Sequence, residues 1–365
     1  MSFPAETYRD RLDRLRSALG EAGVEALWIE PSVGLTYLTG LTPVSMERLF
    51  GLIVTPRGDL RLVVPELLAD ESKELPGEAE FFVWDDASGP ESATAAALDG
   101  FDKLVIQGSL PSWSWMLLGS VRPGIDVSID EHLLGRLREI KDPTEVDALR
   151  RSGAATDDTV EWVVTLDLSE MTEAQLAGRI QAHYLELGHR PTPEGLIAAG
   201  ANSAMPHYVA GDNRIRTDGL LLMDFGCAID GYWSDITRIY FPRPLTGELA
   251  DCYKIVCAAY DAAFAATRPG VACKEVDAAA RKVITDAGYG EHFIHRTGHG
   301  LGMEVHEPPY LTGTSEQRLE VGHVFSIEPG IYLPGKFGVR FENIVHLGED
   351  GLESMNNSPR EHFFS

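Results

Sequence analysis

The sequence predicts two domains, an α/β fold followed by an α+β fold, and three observations carry that expectation. The chain has 365 residues, more than one hydrophobic core usually organises. Its first third alternates short apolar runs with helical spacings, the rhythm of an α/β domain. After a strong helix start at Asp142, helices and strand-like runs come in groups instead, as they do in α+β domains. These features place residues 1–138 in the first domain and residues 139–365 in the second.

The elements follow in order. Residues 5–20 set Leu12, Leu15 and Leu19 at helical spacing between Arg and Asp, which predicts an amphipathic helix. Residues 24–29 read as a short strand. The apolar runs 49–54 and 60–64 are joined by Thr-Pro-Arg-Gly-Asp and read as a hairpin, and 104–107 reads as a further strand. At the boundary, Asp142 can cap a helix, Pro143 fits the first helical position and Glu145 completes a capping box. Val146, Leu149, Val160 and Val163 then give that helix its apolar stripe. A second box, Thr172 with Gln175, opens a helix bearing Leu176, Ile180 and Leu187. Two more helices are expected near 247–267 and 273–287, with β-type runs at 195–199, 219–229, 232–241, 323–333 and 338–347.

Charge narrows the function classes. A formal net charge of −25 repels phosphate backbones and anionic lipid, which argues against nucleic acid and membrane partners. No stretch approaches the ~18 apolar residues of a spanning helix. The charged N-terminal segment has no apolar core of a secretory signal, so a cytoplasmic protein is expected. Cys227, Cys252, Cys257 and Cys273 form no C-x-x-C pair and read as reduced, mostly buried thiols.

The chemistry concentrates in the second domain. Asp230 and Gly231 suit a two-residue hairpin turn, which sets Ile229 opposite Tyr232 and Gly226 opposite Asp235. Asp224 then shares a face with Gly226 and lies diagonal to Asp235, with Gly226 leaving space beside the pair. Two carboxylates turned toward each other need a proton or a cation between them. His299 sits in a glycine-rich stretch where backbone can approach a bound group closely. Glu328 ends an apolar strand before Pro329, and Glu342 lies within another apolar run. Four carboxylates and one imidazole make a hard, oxygen-rich set that favours Mn²⁺, Co²⁺ or Fe²⁺, with Zn²⁺ also admissible, over thiolate-seeking ions.

The order Asp, Asp, His, Glu, Glu, set in DFG, SDITR, GHGLG, IEPG and RFEN, resembles the pita-bread metallopeptidases: prolidase, aminopeptidase P and methionine aminopeptidase. The intervals of 11, 64, 29 and 14 residues between the five fit that family. Residues 35–40, LTYLTG, and 47–51, ERLFG, are similar to the creatinase/prolidase N-terminal domain, which points away from methionine aminopeptidase. The resemblance implies two divalent ions per subunit. Asp224 would chelate one ion, His299 and Glu328 the other, and Asp235 and Glu342 would bridge them around a hydroxide. It further implies that Glu328 passes a proton, that His207 and His306 are catalytic residues contacting the substrate, and that the enzyme is a homodimer. Arg340 either grips a substrate carboxylate or pairs with Glu342 or a neighbour. One departure stands out: the Xaa-Pro peptidases usually carry Asp where this chain has Asn343, which removes a charge from behind the last ligand.

The expected function is therefore hydrolysis of the peptide bond before proline by an Xaa-Pro dipeptidase, with proline-containing di- or oligopeptides as substrates. The alternative is an Xaa-Pro aminopeptidase acting on longer peptides. A metal-free creatinase-type hydrolase or a non-catalytic binding protein would lack some of the five acidic and imidazole residues, and all five are present.

Overall fold

The computed structural model of the chain describes residues 3–44, 47–130, 132–193 and 195–364. It divides into two compact units, Met1–Arg138 and Glu139–Ser365. Each is taken separately.

The first unit is a six-stranded mixed sheet. Its strands run Glu80–Trp84, Leu60–Pro65, Gly51–Val54, Leu27–Ile29, Lys103–Gln107 and Asp126–Asp130 across the sheet. Gly51–Val54 and Leu60–Pro65 pair antiparallel, the hairpin that the two apolar runs predict. The two edge strands are not among the expected elements: Asp126–Asp130 has no apolar run, but Glu80–Trp84 holds Phe81, Phe82, Val83 and Trp84 in succession. Both are half wet, with Val83 48% exposed and Ile129 51% exposed. The core holds Trp28, Ile53, Val63, Leu104 and Ile106. Gly51 is required there, since a Cβ would lie 2.0 Å from the Trp28 ring. The LTYLTG segment is the Val33–Thr39 helix, closed by Gly40 at φ 75°, a left-handed cap that glycine adopts without strain.

In the second unit both predicted capping boxes form. Asp142 accepts from the amides of Thr144 and Glu145 and opens the Pro143–Val164 helix. Thr172 accepts from Gln175 and opens Glu173–Glu186. Helices Gly247–Ala266 and Cys273–Asp286 follow. One four-stranded sheet has the order His362–Phe363, Ile236–Phe241, Leu221–Phe225, Leu196–Ala199. A five-stranded sheet has the order Glu307–Leu311, Gly298–Gly300, Val324–Ile327, Asn343–Gly348, Gly351–Ser354.

Period-two alternation decides what each face of the Leu221–Phe225 strand meets. Leu221, Met223 and Phe225 pack with Val160, Leu176 and Ile180 of the first two helices. Leu220 and Leu222 pack with Val256 and Val276 of the later pair. Asp224 belongs by alternation to the face of Leu222, and Asp235 to that of Ile239.

The hairpin register is as the turn demands, with Ile229 opposite Tyr232 and Thr237 opposite Asp224. Two expectations need correction. Gly226 is small because its backbone passes Ser234: a Cβ there would lie 1.9 Å from the Ser234 carbonyl oxygen. The glycine-rich stretch around His299 is a strand, Gly298–Gly300, paired with both Glu307–Leu311 and Val324–Ile327. A Cβ on Gly298 would fall 1.9 Å from the Ser326 carbonyl and one on Gly300 would fall 2.3 Å from that of Pro308. Glycine has low β propensity, so pattern alone does not read it as strand.

These close approaches make a prediction. Gly226→Ala and Gly298→Ala each force backbone apart and should cost about 2 kcal/mol or more. A urea denaturation midpoint unchanged from the parent chain would contradict the packing described.

Candidate active site

Five strands and their ends deliver the predicted residues to one wall of a cavity of about 860 Å³. Asp224 comes from the Leu221–Phe225 strand, and Asp235 precedes Ile236–Phe241. His299 is the centre of Gly298–Gly300, Glu328 follows Val324–Ile327, and Glu342 lies between Phe337–Arg340 and Asn343–Gly348. All five line the cavity, as do Arg340, His207 and His306.

Ligand atoms of Asp235, His299 and Glu342 lie within 4.8 Å of one another. Glu328 joins them through His299, whose Nε2 is 3.2 Å from Glu328 Oε1 and 4.0 Å from Asp235 Oδ2. Asp224 is linked differently. Its Oδ2 accepts from Arg340 Nη2, so one of the oxygens expected to chelate is already engaged by a guanidinium. Arg340 is only 3% exposed. Its Nε donates to Thr237 Oγ1 at 2.9 Å and its Nη1 to Tyr332 at 2.6 Å. Of the two readings of Arg340 open in the sequence, the paired one has its partner here, and that partner is Asp224.

Sequence reading missed the residues that orient these groups. Thr237 donates to Glu342 Oε2 at 2.7 Å. Ser326 donates to Glu328 Oε1 at 3.1 Å and accepts from the His299 amide at 3.0 Å. His295 Nε2 meets the Tyr332 hydroxyl at 2.9 Å. Thr237 was within reach of the hairpin argument, because the register that pairs Gly226 with Asp235 also pairs Asp224 with Thr237. His295 lies four residues before His299 with no pattern to mark it.

His306 stands at the rim with its ring edge against His299, centroids 4.1 Å apart. The neighbouring Glu307 is buried and bound to Lys141 Nζ at 2.8 Å, an ion pair that fixes the strand start next to His306. His207 is exposed on a segment without helix or strand. Asn343 turns away from the cavity. Its Oδ1 accepts from Arg238 at 2.7 Å, and Arg238 in turn donates to the Glu342 carbonyl at 2.7 Å. The amide therefore acts on Glu342 through the backbone, behind the site.

The electrostatics are those of a group short of positive charge. Burial, then Glu342 and Asp224, push Asp235 well above the usual carboxylate range. Burial, then Glu328 and Asp224, do the same to Glu342. Glu328 goes the other way. Burial opposes its charge, but the hydrogen bond and charge of His299, with His295 and Arg340, bring it down to about 2.

Two details test whether cations fit. Glu342 Oε1 is buried with no hydrogen-bond partner. His299 Nδ1 meets the Gly300 carbonyl at 3.1 Å, so Nε2 is the ring atom turned to the carboxylates, 3.2 Å from Glu328 Oε1. A buried wall of carboxylate oxygens with an unpaired acceptor needs protons or a cation among them. The donor set, carboxylate oxygens with one imidazole, suits divalent ions of the manganese type.

A linkage prediction follows for metal-stripped protein. Asp235 and Glu342 have raised folded values, so their contribution is present below ~4 and is lost as pH rises through the folded values. Glu328, lowered to about 2, contributes above ~4 and loses that contribution as pH falls toward 2. Glu342→Gln should therefore flatten the fall in stability above pH ~4, measured by denaturant unfolding in chelator. An identical pH profile for parent and variant would contradict the crowding of charge.

Comparison with known proteins bears on the same residues. Residues 147–349 match the model of metallopeptidase family M24, and residues 11–116 match the creatinase/prolidase N-terminal domain. A probable dipeptidase PepE of Mycobacterium tuberculosis is 37% identical over 364 residues, with 98% of this chain and 97% of that protein covered. An Xaa-Pro dipeptidase of Lactobacillus delbrueckii subsp. lactis is 32% identical, with 96% and 97% covered. Among solved structures, a prolidase from Thermococcus sibiricus superposes with a TM-score of 0.92 at 34% identity, each chain covered in full.

Proposed function

The chain belongs to metallopeptidase family M24 with a creatinase-type N-terminal domain, and on that premise we propose that it hydrolyses the peptide bond preceding proline in Xaa-Pro dipeptides. The observation that carries the proposal is the meeting of Asp224, Asp235, His299, Glu328 and Glu342 on one cavity wall with too little positive charge to balance them. The relatives named as dipeptidase and Xaa-Pro dipeptidase support the substrate class.

Those five side chains would hold two divalent ions, Mn²⁺ or Co²⁺ by their chemistry. When bound, such ions supply Lewis acidity to the scissile carbonyl and acidify water enough to attack near neutral pH. The protein's own groups supply the rest. Glu328, oriented by Ser326, would take a proton and deliver it to the departing nitrogen. That delivery matters for proline, whose amide nitrogen carries no hydrogen and must gain one to leave as a secondary amine. His207 and His306, at the rim, would hydrogen-bond the substrate backbone. The three contacts of Arg340 favour a role in orienting Asp224, Tyr332 and Thr237 over a grip on the substrate carboxylate.

The volume of the cavity favours one second reading. About 860 Å³ is in the range of a drug-sized ligand and exceeds what a dipeptide fills, so a longer peptide, as in an Xaa-Pro aminopeptidase, also fits. No helix among the described residues is long and apolar enough to cross a membrane. Four free cysteines, three of them buried, support a cytoplasmic protein, and the family resemblance supports a homodimer.

Purified protein, stripped and reloaded with Mn²⁺, Co²⁺ or Zn²⁺, should cleave Gly-Pro faster than Gly-Pro-Xaa. Equal or faster cleavage of the tripeptide would establish the aminopeptidase reading, and no cleavage of either would end both. Asp235→Asn should lower kcat/KM by about a thousandfold or more, reduce bound metal and leave the far-ultraviolet circular dichroism unchanged. Full activity in that variant would refute the assignment of the wall.

A further inference from the structure

Glu173, the first residue of the Glu173–Glu186 helix, is fully buried. An acid in a first turn is favourable beside the positive end of the helix dipole, but that role asks for neither burial nor distant partners. Here the carboxylate reaches five neutral donors outside its own helix. Oε1 accepts from the Ala199 amide at 2.7 Å, from Asn202 Nδ2 at 3.0 Å and from Asn213 Nδ2 at 3.2 Å. Oε2 accepts from the Tyr208 hydroxyl at 2.6 Å and the Gly211 amide at 3.4 Å. The backbone joins in, with the Glu173 amide donating to Asn213 at 3.0 Å and the Ala174 amide to Gly211 at 2.9 Å.

The segment tied down in this way, residues 205–213, contains no helix or strand. It nevertheless gives Pro206, His207, Tyr208, Val209 and Ala210 to the cavity. Apolar burial holds it only in part: Tyr208 and Ala210 pack against the cores, but Met205 is 46% exposed and Val209 is 81% exposed. Hydrogen bonds to one carboxylate supply the directed part of its anchoring. Tyr208 completes the link. It donates to Glu173, receives from Asn202 Nδ2 at 2.9 Å, and is pushed up to about 12 by burial and by Glu173, so it keeps its donor proton at neutral pH.

We propose that Glu173 is a positioning residue that sets His207 over the cavity by clamping residues 205–213 through Tyr208 and Gly211. The functional part rests on the reading of the cavity as a peptide-hydrolysing site in which His207 meets the substrate. The clamp itself does not. A carboxylate is needed because the site presents only donors: an isosteric amide would turn an N–H against one of them and leave both unsatisfied.

The test is a double-mutant cycle combined with hydrogen exchange. Glu173→Gln should lower kcat/KM for an Xaa-Pro dipeptide by about tenfold to a hundredfold, with much of the loss in KM. In a His207→Ala background the same change should cost less than about threefold, because a residue that acts through His207 has nothing left to position. Metal content should not change. Amides of residues 205–213 should exchange faster in Glu173→Gln, while those of the Leu221–Phe225 strand stay as they are. Fully additive losses, or unaltered exchange in 205–213, overturn the proposal. If the parent chain cleaves no Xaa-Pro peptide, the functional reading has failed and the exchange data still decide the clamp. If Glu173→Gln does not fold, Tyr208→Phe removes one arm of the clamp and carries the same cycle and exchange comparison.

Discussion

Mutual repulsion among four carboxylates is the constraint on which the second unit depends. Asp224, Asp235, Glu328 and Glu342 share one cavity wall, and Arg340 is the one guanidinium bonded to the set among the described residues. Left alone, such a wall would bind protons or open, which is why burial and like charge drive Asp235 and Glu342 upward. The protein answers with rigidity. Three of the four carboxylates are held by a neighbouring side chain: Glu342 by Thr237, Glu328 by Ser326 and Asp224 by Arg340. The wall is thereby built in advance around a place for cations, and the cost of holding like charges together is offset only when they bind.

That rigidity has its origin in backbone contact. Gly226 passes the Ser234 carbonyl, Gly298 that of Ser326 and Gly300 that of Pro308 at distances no side chain would allow. The strands that carry Asp224, Asp235 and His299 are drawn in by these approaches until their ligand atoms converge. Packing on the outer faces then fixes register. Leu221, Met223 and Phe225 are clamped by the first two helices of the unit, and Leu220 and Leu222 by the later two, so a slip of one residue would exchange Asp224 for an apolar neighbour.

The rim of the cavity is organised by different means. The two rim histidines sit on segments held by buried acids, Glu307 with Lys141 beside His306 and Glu173 beneath His207. Apolar packing sets the register of the carboxylate wall, and directed hydrogen bonds to buried acids hold the segments that carry His207 and His306. A carboxylate with several donors defines a position closely while leaving the residues above it open to solvent.

By itself the sequence determined the division into an α/β and an α+β part, both capping boxes, the Asp230–Gly231 hairpin and the identity of the five residues on the wall. These are local or one-dimensional properties: a cap is read from four residues, a hairpin register from its turn, and a ligand set from residue type and interval. Tertiary structure alone decided the rest. Strand Asp126–Asp130 was hidden because it lies at a sheet edge, half exposed and without an apolar run, whereas Glu80–Trp84 carries its run in Phe81, Phe82, Val83 and Trp84 and was open to reading. Gly298–Gly300 was hidden because its strand character comes from neighbours that demand glycine. The partner of Arg340 and the reach of Glu173 were hidden for a common reason: each bond joins residues far apart in the chain, 116 positions for Arg340 and Asp224, and no spacing rule foretells which buried donor a long side chain will meet once the sheets have closed.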